Sequence, residues 1–305
     1  MKASKYWCLG IAALAFAACS NEEEVINNGP VAAQISAGIE GVQTRAAGTA
    51  WDNEDEIGIS CTSTTGKTSS TNVKYVISNA SSGSFTSNSP IYFQDLEEVT
   101  FSAYYPYTAD GGTVDKTITA DDQEAEAQKE IDYMFASGAT ASKADPNVKF
   151  TNDGATDACF KHRMSQLSFT FKQGADTDLT AMTDFTISGL KMEGTFNTED
   201  GTATATKTAQ AEDLKITETP SASDTYTRSL ILFPQEVSDG KFNLTLTLGE
   251  EIYKTELSIP EDKTALTAGN KYTYTITVNK TKIEVGQSTI EGWGDGGSNS
   301  GEATM

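Results

Sequence analysis

The chain of 305 residues is poor in the side chains that most chemistry uses. It has one histidine, His162, and four cysteines. A Ser-His-Asp arrangement would have to recruit that single imidazole, and no nucleophile elbow of the form G-x-S-x-G accompanies it. His162 stands at the start of a strand pattern and reads as structural. No His/Cys cluster has zinc spacing, and no glycine loop has a phosphate-binding form. Cations are scarce as well. Lys and Arg number 22 against 43 Asp and Glu, a formal net charge of −21. Such a surface repels nucleic acid and anionic lipid. The acids are numerous enough for a glycosidase pair, but nothing distinguishes any two of them. The stretch WDNEDEIGI (51–59) lacks the twelve-residue spacing, central glycine and terminal glutamate of a calcium loop and reads as a solvated acidic turn. The sequence therefore offers no catalytic, cofactor-binding or metal-binding residue, and the expectation is a protein that is not an enzyme.

Long apolar runs are also missing. Tyr6–Ala18 is an almost wholly apolar stretch of 13 residues, whereas a bilayer-spanning helix needs about 20. With Lys2 and Lys5 before it, the stretch has the form of a secretory signal. Phe16-Ala17-Ala18-Cys19 resembles a bacterial lipobox, in which the cysteine is acylated and becomes the new N-terminus. A plain signal followed by an incidental cysteine is the other reading. Acyl chains on Cys19 would anchor the chain firmly, at about 0.8 kcal/mol per buried CH₂. Ser20-Asn21-Glu22-Glu23-Glu24 resembles the acidic tract after that cysteine in surface-exposed lipoproteins of Bacteroidia; alone, it is a solvated acidic linker. Removing residues 1–18 takes away two lysines and no acid, so the formal charge falls from −21 to −23. Cys8 leaves with the signal and Cys19 takes lipid. Cys61 and Cys159 remain, either as an exported disulfide or as two free, buried thiols.

Abundant Thr, Ser, Gly and Ala suit strands and turns better than long helices. Val31, Ala33, Ile35, Ala37 and Ile39 share one parity, the period of a half-buried strand. The alternation returns in Val73-Tyr75-Ile77, Val99-Phe101-Ala103-Tyr105, Ile131-Tyr133-Phe135, Leu167-Phe169-Phe171, Phe242-Leu244-Leu246-Leu248 and Tyr272-Tyr274-Ile276-Val278, with Gly/Ser/Asn/Asp clusters between. Only DDQEAEAQKE (121–130) reads as helix or, equally, as a loop. Many short strands separated by turn signals predict an all-β protein of β-sandwiches. The apolar parity flips between Asn279 and Lys282, which requires two strands or a bulge.

Several stretches together resemble the fimbrillin family, subunits of the type V pili of Bacteroidia. QTRAAGTAWDNEDEIGIS, IYFQDLEEVTFSAYYPY, DYMFASG, FKHRMSQLSFTF, LTAGNKYTYTITVNKTKIEV and the closing IEGW occur in the family's order, and the resemblance spans residues 19–293. It implies two tandem transthyretin-like β-sandwich domains and assembly by strand exchange. The expected organisation is a lipoprotein signal at 1–18, a lipidated linker and first strand at 19–45, domains at 46–150 and 151–293, and a tail at 294–305. The resemblance implies cleavage by a trypsin-like protease between Arg45 and Ala46. It also implies that the C-terminal segment of another subunit then fills the groove left by the first strand. Ile283, Val285, Ile290 and Trp293 are the candidate plugs. The implied function is a structural subunit of a surface fimbrium that supports adhesion, located at the outer membrane surface. Its partners would be copies of itself or related subunits, joined head to tail, and the membrane through Cys19 before processing. The alternatives are an anchored or tip subunit acting as an adhesin, or a monomeric surface lipoprotein that binds a glycan or host protein. The segment 280–293 could instead complete its own C-terminal sandwich.

Overall fold

A computed structural model gives the fold and describes residues 29–40, 51–152, 154, 156–222 and 224–293. Cys19, Arg45 and Ala46 lie outside these residues. The strands described below all belong to one compact unit that begins at Val31.

The protein is all-β, and its helical content among the described residues is single 3₁₀ turns. Period-two patterning decides which faces are buried. Val99, Phe101, Ala103 and Tyr105 all point inward, as do Leu167, Phe169 and Phe171 and the even-numbered set from Tyr272 to Val278. The interior forms two apolar clusters. One gathers residues from Ala33 to Phe160 around Trp51, Phe85, Phe101 and Phe150. The other gathers the C-terminal strands and also takes in Tyr104, Ile118, Ile131, Tyr133 and Phe135.

An eight-stranded sheet serves the first cluster, in the spatial order Asn147–Phe150, Gln34–Ala37, Ser84–Thr86, Ser69–Asn79, Glu56–Ser63, Val99–Tyr105, Met134–Ala141 and Lys161–His162. Two sheets enclose the second. A five-stranded sheet has Thr225–Leu232, Ser165–Gln173 and Asn270–Asn279 side by side, with both Lys282–Val285 and Thr289–Gly292 on the far side of Asn270–Asn279. A four-stranded sheet, Ala211–Thr217, Met182–Lys191, Lys241–Leu248 and Glu251–Ser258, faces it. Aromatic rings interlock across the gap: Phe171 lies 5.3 Å from Phe185, and Phe242 lies 5.6 Å from Tyr274.

Segment 121–130 is two 3₁₀ turns, Asp121–Gln123 and Gln128–Glu130, with a physical task. It lies along the free edge of Thr225–Leu232, where backbone groups would otherwise lack partners. The fully buried Gln123 donates through Nε2 to Ile231 O and accepts from Ile231 N at Oε1, both at 2.9 Å. Gln128 Nε2 donates to Ser229 O at 2.7 Å. A side-chain amide thus does what a neighbouring strand's main chain would do. Gln123→Leu keeps the volume and strands one donor and one acceptor, so it should destabilise the fold by about 2–4 kcal/mol in urea unfolding. A loss under 1 kcal/mol would mean that this edge needs no cap.

Candidate functional site

The first strand is not at an edge. Val31–Ala32 pairs with Tyr92–Phe93, and Gln34–Ala37 lies between Asn147–Phe150, to which it is parallel, and Ser84–Thr86, to which it is antiparallel. Its N–H groups alternate between the two sides. Ala33 and Ala37 donate to Ile91 O and Gly83 O, while Gln34, Gly38 and Glu40 donate to Pro146 O, Phe150 O and Phe160 O, all at 2.7–2.9 Å. Ala33, Ile35 and Ala37 are buried in the same cluster as Trp51, Phe85, Phe150 and Phe160. The large-small alternation of Val31, Ala33, Ile35, Ala37 and Ile39 therefore records the depth of the space beneath the strand.

Trp51 closes the floor of this space. Its ring meets Phe85 and Phe160 edge-on, each at 5.1 Å between centroids, and its Nε1 donates to Ala37 O at 2.8 Å. The acidic stretch that follows is a turn in which Asp55 Oδ2 accepts from Asp52 N at 2.7 Å. Burial pushes the Asp55 carboxyl above the ordinary carboxylate range, against the hydrogen bonds from the Asp52 backbone and the Tyr105 hydroxyl. Near the far end of the strand, Lys161 pairs with Asp157 and lies 3.6 Å from Glu40. Cys61 and Cys159 are both buried and free. Burial, with Asp157 beside it, pushes the Cys159 thiol up to about 12, so it remains protonated and unreactive.

The C-terminal segment folds back on its own sheet. Lys282–Val285 forms a hairpin with Asn270–Asn279 in which Asn279 faces Lys282 and Ile276 faces Val285. The parity flip is therefore a two-residue turn between separate strands. Thr289–Gly292 resumes pairing, with Ile290 opposite Tyr272. Gly286, Gln287 and Ser288 stand against only Tyr274 and Thr275, one residue too many, so the chain bulges and Ile290 returns to the face shared by Ile283 and Val285. Ile283 and Ile290 are half-buried against the core, Val285 is 39% exposed and Trp293 is 6% exposed. The bulge went unread in the sequence, although odd Ile283 and Val285 followed by even Ile290 carried the signal. The structure thus places all four candidate plugs along one edge of the molecule's own C-terminal sheet, apart from the first strand.

The sequence matches the model of one family, described as fimbrillin-like, over residues 44–293. The chain belongs to the fimbrillin-like family. A relative in Bacteroides uniformis, Fim1C, named as a candidate fimbrium subunit, is 30% identical over 99% of this chain and 100% of its own. A solved structure from Bacteroides ovatus, described as a candidate cell adhesion protein, superposes with a TM-score of 0.72 at 27% identity, covering 87% of this chain and 98% of its own. Another of the same description, from Bacteroides uniformis, gives 0.65 at 28% identity over 87% and 99%. This fimbrillin-like chain is thus, in class, a fimbrial and cell-adhesion protein of the cell surface.

Gly83 ties the first strand to its neighbour. Its φ of +61° is left-handed, and a Cβ there would fall 2.1 Å from Ala37 O. Gly83→Ala in this fimbrillin-like chain should cost at least about 2 kcal/mol in urea unfolding, from left-handed strain plus displacement of the first strand. A cost under 1 kcal/mol would mean that Gly83 and Ala37 are not held this close.

Proposed function

We propose that this chain is a structural subunit of a surface fimbrium, exported as a lipoprotein through Cys19 and polymerised by donor-strand exchange. Cleavage between Arg45 and Ala46 releases residues 19–45 and with them the first strand. The C-terminal segment of a neighbouring copy or related subunit, carrying Ile283, Val285, Ile290 and Trp293, takes the vacated place. In this reading, residues 46–150 and 151–293 act as two domains, one offering the groove and the other the donor.

The observation that carries the reading is the interior position of the first strand. Its two neighbours bond to it and not to each other. Strands lie about 4.8 Å apart, so its loss would leave the flanking strands about 9.6 Å apart, with room for one strand between them. The slot is lined by unpaired carbonyls and floored by aromatic rings. Unpaired sheet backbone recruits a strand, main-chain bonds supply affinity, and pockets for alternate side chains supply register. A head-to-tail contact of this kind does not close on itself and so grows a filament.

A second reading draws on a separate observation. The C-terminal segment pairs with its own sheet and seats Trp293 in its own core, which suits an anchored or tip subunit that only receives a donor and acts as an adhesin toward a host protein or glycan. The first experiment is to sequence the N-terminus of protein recovered from the cell surface. A start at Ala46 supports the polymerising subunit, and an acylated Cys19 supports the anchored one. Arg45→Ala should abolish filaments on electron microscopy while surface protein persists. Wild-type filaments from that variant would overturn processing at Arg45.

A further inference from the structure

The only histidine lies beneath the end of the C-terminal segment. His162 belongs to Lys161–His162, the end strand of the eight-stranded sheet, and faces Met134 across the ladder. Its side chain is fully buried, and its Nδ1 lies 2.7 Å from Asp132 Oδ1. On its face lies the indole of Trp293, with centroids 4.2 Å apart and planes 4° from parallel. Backbone bonds hold the same place together. Arg163 N donates to Tyr133 O, Gly269 N to Met164 O, and Trp293 N to Gly269 O at 2.6 Å. Gly269 has φ of +71°, and a Cβ on it would lie 3.2 Å from His162 O, so the turn that receives Trp293 admits little but glycine.

The two halves of the segment are held unequally. In Lys282–Val285 only Ile283 is half-buried, while Lys282, Glu284 and Val285 are exposed. The distal half has half-buried Ile290, an ion pair between Lys271 and Glu291 at 3.4 Å, and the Trp293 stack. The tightest contact is therefore at the end away from the Lys280–Thr281 turn. A strand tied by a hairpin turn opens from its other end, so the Trp293 seat is the first contact that must break.

We propose that the Asp132–His162–Trp293 stack is an autoinhibitory latch that keeps residues 282–293 in the subunit's own sheet and sets how often the segment opens. As a latch on the fold it stands alone. Its role in governing when a subunit can act as donor rests on the strand-exchange reading above.

Hydrogen–deuterium exchange on the uncleaved full chain tests it without any filament. Trp293→Ala should speed exchange of the amides in both 282–285 and 289–292 by about 30-fold or more, since an aromatic anchor contributes a few kcal/mol and each 1.4 kcal/mol is tenfold. Ser165–Gln173 should keep its protection, and Trp293→Phe, which keeps a ring on the imidazole, should fall between. Ile283→Ala, in the loosely held half, should change exchange less than about threefold. Wild-type exchange in Trp293→Ala, or equal acceleration by Ile283→Ala, would overturn the latch. If Trp293→Ala lowers protection throughout the chain, the smaller Trp293→Phe change decides: acceleration confined to 282–293 upholds the latch, and its absence overturns it. Filaments from Arg45→Ala would overturn processing at Arg45 and leave the exchange result intact.

Discussion

A strand leaves half of its backbone groups facing outward, and each sheet of this protein has to satisfy or shield them. The architecture follows from how each edge is treated. Thr225–Leu232 is capped by glutamine side chains in place of another strand. Asn270–Asn279 is covered by the chain's own returning segment, in two pieces. The gap between Asn147–Phe150 and Ser84–Thr86 is filled by residues 34–37. The first treatment is built into the fold through a buried residue. The other two use segments near either end of the described residues, 34–37 and 282–292.

The two terminal segments have different chemistry. The first strand alternates large and small side chains at five positions, and its Ala37 carbonyl accepts from the Trp51 indole and lies against Gly83. The C-terminal segment is interrupted by Gly286-Gln287-Ser288, with Ile290, the Lys271–Glu291 ion pair and the Trp293 stack all in its distal half. The first is held at points along its whole length, whereas the second is loose beside its turn and firm at its tip.

Much of the fold could be read from the residues. Period two marked the buried faces at 33–37, 99–105, 167–171, 242–248 and 272–278, because side chains on a pleat alternate, whereas Ile131 and Tyr133, which share the pattern, are buried in the turn before Met134–Ala141. The phase flip after Asn279 located the hairpin. The pairing of strands could not be read, since nothing in the sequence says that residues 34–37 lie beside 147–150. The edge role of 121–130 was equally hidden, because glutamine reads as a polar surface residue until a bare strand edge is set against it. The place of His162 at the start of a strand pattern was legible. Its stack with Trp293 joins residues 131 positions apart and left no local trace.

The parallel pairing of Gln34–Ala37 with Asn147–Phe150 joins residues 113 positions apart. Closing so long a loop costs entropy before any contact repays it. As the polypeptide emerges from its N-terminus, the earliest strand finds its seat only after some hundred further residues have been made and positioned. A segment that is among the first in synthesis thus completes its pairing only after residues 147–150 exist. A piece that joins an assembled framework late can also leave it without dismantling the framework.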